Sequence, residues 1–484
     1  MSFISTEFIV FATIVVVVFF CTTQRLRWLL LLLSSYYFYA FWNPSYLLLI
    51  IFSTLVDYFV ALGLSRSDVE RRPRRRLLLA LSVLANIGVL FVFKYANLFA
   101  QTTAEISAAL GAPIQFQALD VLLPVGISFY TFQSMSYTFD VYRGRLRAER
   151  NLGIFATYVA FFPQLVAGPI ERAANMLPQF RLERRFCHDR VVSGLRLVLW
   201  GAFKKIVVAD RLAIYVNEVY GDLERHTGLS LIFATVFFAF QIYCDFSGYS
   251  DIAIGVARVL GFKLMENFRR PYLARSLGDF WRRWHISLST WFRDYVYISL
   301  GGNRRGLRRQ ILNSLVVFAI SGLWHGANWT FVIWGLYHGL LVALQTMLGA
   351  AWPKAGPNGL VSAVSRVLVT FMLVTFGWIF FRASSLWEIE YVLRHLFDFS
   401  QGVAGLTLPF AAGLLLPRAE FALSILLIAF IVATDVLDER VGLMAFLSRL
   451  SLAPRWTIYY VLTAGIYGSL FYSAAIQEFF YFQF

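Results

Sequence analysis

The stretch Ser321-Gly322-Leu323-Trp324-His325-Gly326-Ala327-Asn328-Trp329 sets a histidine between two apolar runs, residues 311–326 and 329–350. About twenty apolar residues cross a bilayer as a helix, so His325 stands at the junction of two candidate membrane spans. An ionisable side chain at membrane depth is costly unless it faces a polar cavity, and it therefore reads as functional. Its neighbours favour that reading. Gly322 and Gly326 allow close backbone approach, Trp324 and Trp329 can wall a pocket, and Asn328 can supply a hydrogen bond. The competing reading is a structural histidine hydrogen-bonded between helices. His338, further along the second run, fits the structural role better.

Composition agrees with a membrane setting. The chain has 484 residues, 59% of them hydrophobic and 15% charged. Soluble domains are about 45–50% apolar and about 25% charged. A soluble domain has no way to bury so much apolar surface, so the sequence describes an all-α polytopic membrane protein. The net charge of +15 does not point to nucleic acid, because the arginines gather in loops between apolar spans, as the positive-inside rule requires. Cys21, Cys187 and Cys244 are widely spaced, which predicts free thiols and no metal site. The N-terminus lacks a basic leader region and a convincing cleavage site, so it reads as a retained first span.

Candidate spans are residues 6–23, 28–42, 45–64, 77–94, 121–139, 197–220, 229–247, 311–326, 329–350, 361–381, 421–437 and 456–475; those at 28–42 and 311–326 are short. Arg66, Arg71, Arg72, Arg74, Arg75 and Arg76 crowd one loop, and Arg143, Arg145, Arg147 and Arg150 another. Both loops are expected in the cytoplasm, and counting crossings then puts both termini outside. Segment 151–170 is apolar but has basic sequence on both sides, and it carries Pro163, Gly168 and Pro169. A re-entrant element fits; such backbone is tolerated only inside protein or along a water-filled cavity. With no repeat or low-complexity linker, residues 1–484 read as a single domain.

The most basic region is 262–310, expected in the cytoplasm. Within it Phe280, Trp284, Leu288, Trp291 and Tyr295 recur at helical spacing, with Arg282, His285, Ser289 and Arg293 on another face. The pattern predicts an amphipathic helix on the membrane surface or under the cavity. His285 is then either a site residue or a solvated polar-face residue. The arginines Arg282, Arg283 and Arg293 suit a phosphorylated ligand, since guanidinium forks match phosphate geometry. Asp245 and Asp251 are expected near the inner end of a span, as partners for cytoplasmic arginines or as a lining of the cavity mouth. No Walker A loop, GxGxxG or metal-ligand spacing is present.

Two motifs carry a family likeness. The run Asp279-Phe280-Trp281-Arg282-Arg283-Trp284-His285 through Tyr295, followed by Leu300-Gly301-Gly302-Asn303-Arg304, resembles the membrane-bound O-acyltransferase superfamily, as does Leu323-Trp324-His325-Gly326-Ala327. Phe162–Ile170, Phe203-Lys204-Lys205, Asp245–Asp251 and the terminal Phe479–Phe484 support it. The likeness is nearest to the bacterial branch that acetylates alginate and related exopolysaccharides, with peptidoglycan O-acetyltransferases and teichoic acid D-alanyl transfer proteins as cousins. The resemblance implies a ring of about 11–12 tilted helices with re-entrant elements around a tunnel, within the bacterial inner membrane. It makes His325 the essential histidine, with His285 approaching from the cytoplasm and Trp324, Asn328, Asp245 and Asp251 along the tunnel. It further implies an acyl thioester donor, acetyl-CoA in this branch, with no permanently bound cofactor, and an SGNH-hydrolase-like partner that passes the acetyl group to sugar hydroxyls. Given a thioester, a neutral imidazole at His325 can take the proton of an attacking alcohol, and His285 or Asn328 can steady the oxyanion. Peptidoglycan acetylation is the nearest alternative. A proton-coupled transporter or flippase is the alternative from another class, though no paired repeat supports it.

Overall fold

A computed structural model describes residues 1–472 apart from 68–71, 115, 117–118, 120–122, 167, 352–358 and 407–416. The motif Phe479–Phe484, Arg71 and parts of the spans at 121–139 and 456–475 thus lie outside the described residues. Those residues fold as helices with no strand among them. Six described helical runs are long and apolar enough to cross a membrane: Pro44–Arg66, Arg72–Ala109, Leu229–Leu260, Trp329–Gly349, Val361–Arg382 and Pro417–Val441. This is a multi-pass membrane protein.

Several elements run longer than hydropathy alone predicts. The span expected at 77–94 is part of one 38-residue run, Arg72–Ala109, continuous through a π-helical turn at Phe91–Tyr95. The span expected at 229–247 is a 32-residue helix, Leu229–Leu260. Asp245 and Asp251 therefore lie inside a helix rather than at its end. Apolar windows stop at the first charges, but a helix continues wherever those charges find partners.

The chain forms two compact units, residues 1–195 with 253–265, and residues 196–252 with 266–483. In the first unit, helix Ile127–Tyr142 is buried almost throughout despite its Ser, Thr and Gln residues. Thr138 donates to the buried Asp57 carboxylate at 3.1 Å, and Ser82 and Asn86 donate to the same group. Polar side chains here satisfy one another inside protein, and the 16-residue helix that stands where a span is expected at 121–139 is not among the six apolar runs.

Segment 151–170 folds as two short helices, Leu152–Ala160 and Phe162–Leu165, broken at a buried Phe161. Nine residues rise only about 14 Å, too little to cross a bilayer core of about 30 Å. Asn151 caps the first helix by accepting from the Ile154 N–H at 3.1 Å, and Pro163 sits in the first turn of the second, where its missing N–H costs nothing. The break frees carbonyls at the end of the first helix. Gln133 and Gln164 both donate to the Tyr158 carbonyl, at 2.6 and 3.0 Å, so this freed carbonyl is satisfied within protein.

In the second unit, helices Leu307–His325 and Trp329–Ala351 form a hairpin with the most extensive contact of any helix pair described. Topology remains an expectation from the arginine loops. A reporter active only in the cytoplasm, fused behind residue 484, should stay silent. Activity there would mean that one short element, Gln24–Ala40 or Leu307–His325, fails to cross.

Candidate active site

His325 is the last residue of its helix and is 4% exposed. The hairpin is tight enough here that only glycine fits. A Cβ on Gly322 would lie 2.2 Å from the Phe331 carbonyl oxygen, and one on Gly326 2.0 Å from the Phe331 ring. The imidazole is thereby held among Trp324, Trp334 and Phe381, with ring centroids 5.0, 4.9 and 5.3 Å away.

His285 departs from its expected setting. The apolar stripe is buried as its spacing predicts, from Phe280 to Tyr295, but the helix is not continuous. Leu277–Arg283 and Ile286–Trp291 are separate, and His285 between them has φ 43°. A left-handed conformation is uncommon outside glycine, and such strain collects at functional sites. The break turns His285 inward to 1% exposure, so the solvated reading does not hold.

The segment after helix Leu229–Leu260 holds this turn in place. The Ile286 N–H donates to the Asn267 carbonyl, and the Arg269 N–H to the Arg283 carbonyl, both at 2.9 Å. The Asn267 side-chain oxygen accepts from the Ser287 N–H at 3.3 Å and Ser287 Oγ at 2.9 Å, and lies 3.1 Å from His285 Nδ1. Because a backbone N–H can only donate, this amide atom is the acceptor. Nδ1 of His285 therefore carries the proton, and Nε2 the lone pair. Burial drives the imidazole pKa down to about 3, so it is neutral near pH 7. Asn267 and Ser287 went unnoticed in the sequence. Neither belongs to a recognisable spacing, and Asn267 reaches His285 only through the fold.

The two imidazole centroids are 6.4 Å apart. Both rings line a cavity of about 530 Å³ that also takes in Arg282, Arg283, Arg293, Trp281 and Ser321. The histidines are its buried floor. Arg282 and Arg293, with side chains 72% and 60% exposed, stand at its mouth. Arg283 is more enclosed, bridged to Asp279 at 3.2 Å and Glu439 at 3.1 Å.

The remaining sequence candidates do not line the cavity. Trp324 packs against both imidazoles. Asn328 caps the next helix, accepting from the Thr330 N–H at 3.1 Å and donating to the Ser384 carbonyl at 2.7 Å, so both ends of its amide are engaged away from the cavity. Asp251 lies 2.8 Å from Lys204 Nζ, and Lys205 Nζ lies 2.7 Å from both Asp245 and Asp210. The aspartates thus pair with lysines of a buried π-helical segment, Phe203–Ala209, not with cytoplasmic arginines, and neither lines the cavity. His338 is fully buried and touches Trp281 and Trp334 at 5.1 Å, directly behind the cavity wall.

Comparison with known proteins gives this arrangement its class. Residues 149–386 match the description "MBOAT, membrane-bound O-acyltransferase family". The chain is 41% identical to the "Probable alginate O-acetylase AlgI" of Pseudomonas aeruginosa, over 75% of this chain and 68% of that protein. It is 36% identical to the "Peptidoglycan O-acetyltransferase" of Helicobacter pylori, over 74% and 71%. It is 27% identical to the "Teichoic acid D-alanyltransferase" of Bacillus subtilis, over 53% and 68%. The chain belongs to the membrane-bound O-acyltransferase family, and it is an O-acyltransferase.

If the imidazole of His285 matters chemically, its loss should be separable from its fold. Asparagine tolerates the left-handed conformation, so His285→Asn should keep the turn at φ 43°. We expect acyl transfer to fall by about 10–10², the cost of misplacing a reacting group once a positioning contact is lost, with thermal stability nearly unchanged. Wild-type turnover in that variant would leave His285 a packing residue.

Proposed function

We propose that this enzyme takes an acetyl group from cytoplasmic acetyl-CoA, across the bacterial inner membrane, for O-acetylation of an extracytoplasmic polysaccharide such as alginate. The observation that carries the reading is one cavity with two buried imidazoles at its floor and two exposed guanidinium groups at its mouth. Arg282 and Arg293 suit the phosphates of coenzyme A, and the pantetheine arm then reaches inward. At His325 the imidazole accepts the proton of the acceptor hydroxyl as its oxygen forms the new bond to the thioester carbon. The carbon–sulfur bond breaks, and the proton passes to the sulfur, so the reaction needs no external acid or base. His285, protonated at Nδ1, offers a lone pair at Nε2. That suits accepting a hydrogen bond from an amide N–H of the donor arm, rather than donating to an oxyanion. Asn328, engaged as a helix cap, does not fit the oxyanion role either.

The polymer assignment rests on the relatives. The similarity to a peptidoglycan O-acetyltransferase covers nearly as much of the chain as that to an alginate O-acetylase, 74% against 75%, so peptidoglycan is the second acceptor to test. An SGNH-type partner would complete transfer to the sugar. The deciding experiment supplies acetyl-labelled acetyl-CoA to purified enzyme with a hydroxyl acceptor. Time-dependent label on the acceptor is expected; a transporter or flippase would give none.

The donor contacts make a further prediction. Charge-assisted hydrogen bonds contribute roughly 1.5–3 kcal/mol each. The double substitution Arg282→Gln with Arg293→Gln should raise the apparent donor Michaelis constant by tens of fold or more, with less effect on the acceptor. It should also make donor binding less sensitive to salt. If coenzyme A binds variant and wild type equally, these arginines do not hold the donor.

A further inference from the structure

The first unit holds a second cavity, of about 1210 Å³. Arg66, Arg147, Arg150 and Arg181 line it together with the apolar walls Leu62 and Leu177. Among the described residues its single acidic residue, Glu149, is buried and already engaged, accepting from Arg181 Nη2 at 2.6 Å and from the Asn151 N–H at 2.8 Å. Among the described residues, Arg66, Arg147 and Arg150 enter no ion pair. The positive-inside rule accounts for arginines in these loops, but not for their convergence on one cavity with an apolar wall.

The walls are also pinned. Arg75 donates to the Leu64 carbonyl at 2.7 Å, the Ser67 carbonyl at 3.2 Å and the Tyr142 carbonyl at 2.7 Å, tying together the ends of two helices. Tyr58 Oη donates to the Arg150 carbonyl at 2.6 Å and fixes the loop that carries Arg147 and Arg150. One arginine is thus spent on building the site, and three cations without a carboxylate partner among the described residues are left facing into it.

We propose that this cavity binds the phosphate headgroup of an anionic phospholipid, with the guanidinium groups of Arg66, Arg147 and Arg150 on the phosphate and the lipid's apolar part along Leu62 and Leu177. Guanidinium forks fit phosphate oxygens. Basic pockets beside membrane helices on the cytoplasmic face meet anionic headgroups, and the charge rule puts these loops on that face. A free phosphate or a nucleotide would satisfy the arginines but leave the apolar wall in water.

The test uses the full chain in nanodiscs of phosphatidylcholine with and without phosphatidylglycerol, and measures the lipid retained after extraction into detergent. Wild type should retain phosphatidylglycerol over phosphatidylcholine by about tenfold or more. The triple variant Arg66→Gln, Arg147→Gln, Arg150→Gln should lose most of that preference, while the matched set Arg304→Gln, Arg305→Gln, Arg308→Gln keeps it. Should the triple variant fold poorly, the single reversal Arg147→Glu at an exposed position serves in its place. Equal retention by wild type and variant would overturn the assignment. Displacement of the lipid by millimolar inorganic phosphate or coenzyme A would overturn it as well, and would make the cavity a site for a soluble phosphate.

Discussion

His325→Ala should lower acyl transfer by about 10³-fold or more, with coenzyme A binding retained. A positioned general base contributes typically 10²–10⁴ to rate, and among the described residues only His285 offers a second imidazole in the cavity. It stands 6.4 Å away by centroid, and a misplacement of even about 1 Å from the reacting proton can cost roughly 10² in rate. It is therefore poorly placed to take over. The alanine also leaves a space among Trp324, Trp334 and Phe381, which by itself lowers stability. His325→Gln fills more of that space without an imidazole. Both variants should be inactive, with the glutamine variant melting closer to wild type. If the glutamine variant turned over at near-normal rate, His325 would be removed from the chemistry.

The second large effect concerns stability. Lys205, buried in a π-helical segment, is the common partner of Asp210 and Asp245, with Nζ 2.7 Å from each. Replacing it with alanine strands two carboxylates in a site closed to water. Breaking a buried pair in this way costs about 3–5 kcal/mol, a large part of the margin by which a protein stays folded. Lys205→Ala should therefore accumulate poorly and melt well below wild type in detergent. The triple variant Lys205→Met, Asp210→Asn, Asp245→Asn removes every charge at once and should recover much of the loss, because the penalty lies in the unpaired charge. An unchanged melting temperature for Lys205→Ala would show that water or another cation reaches the carboxylates.

How much of this was legible in the sequence differs from residue to residue. His325 was readable because a histidine with glycines on either side, between apolar runs, has few bland explanations. The glycines at 322 and 326 meet Phe331 too closely for any side chain. The break at 151–170 was readable from Pro163 and the flanking charges. The pairing of the freed Tyr158 carbonyl with Gln133 and Gln164 was not, since those contacts are made across the fold. His285 was half legible. Periodicity gave the buried stripe but ran a helix straight through residue 285, because propensity does not register one left-handed residue imposed by bonds to Asn267. Falling hydropathy puts Asp245 and Asp251 near a helix end. The helix continues since Lys204 and Lys205 neutralise them, and that pairing is tertiary. The cysteines are free, as their wide spacing predicts.

The central claim is that the cavity holding His325 and His285 is where the thioester reacts. The most direct measurement is the structure of the enzyme with a hydrolysis-resistant acetyl-CoA analogue in lipid nanodiscs. The acetyl carbon is expected close to the His325 imidazole, within about 3–3.5 Å of where the acceptor oxygen would stand, with the phosphates at Arg282 and Arg293. An analogue bound with its acetyl group outside this cavity, out of reach of both imidazoles, would contradict it.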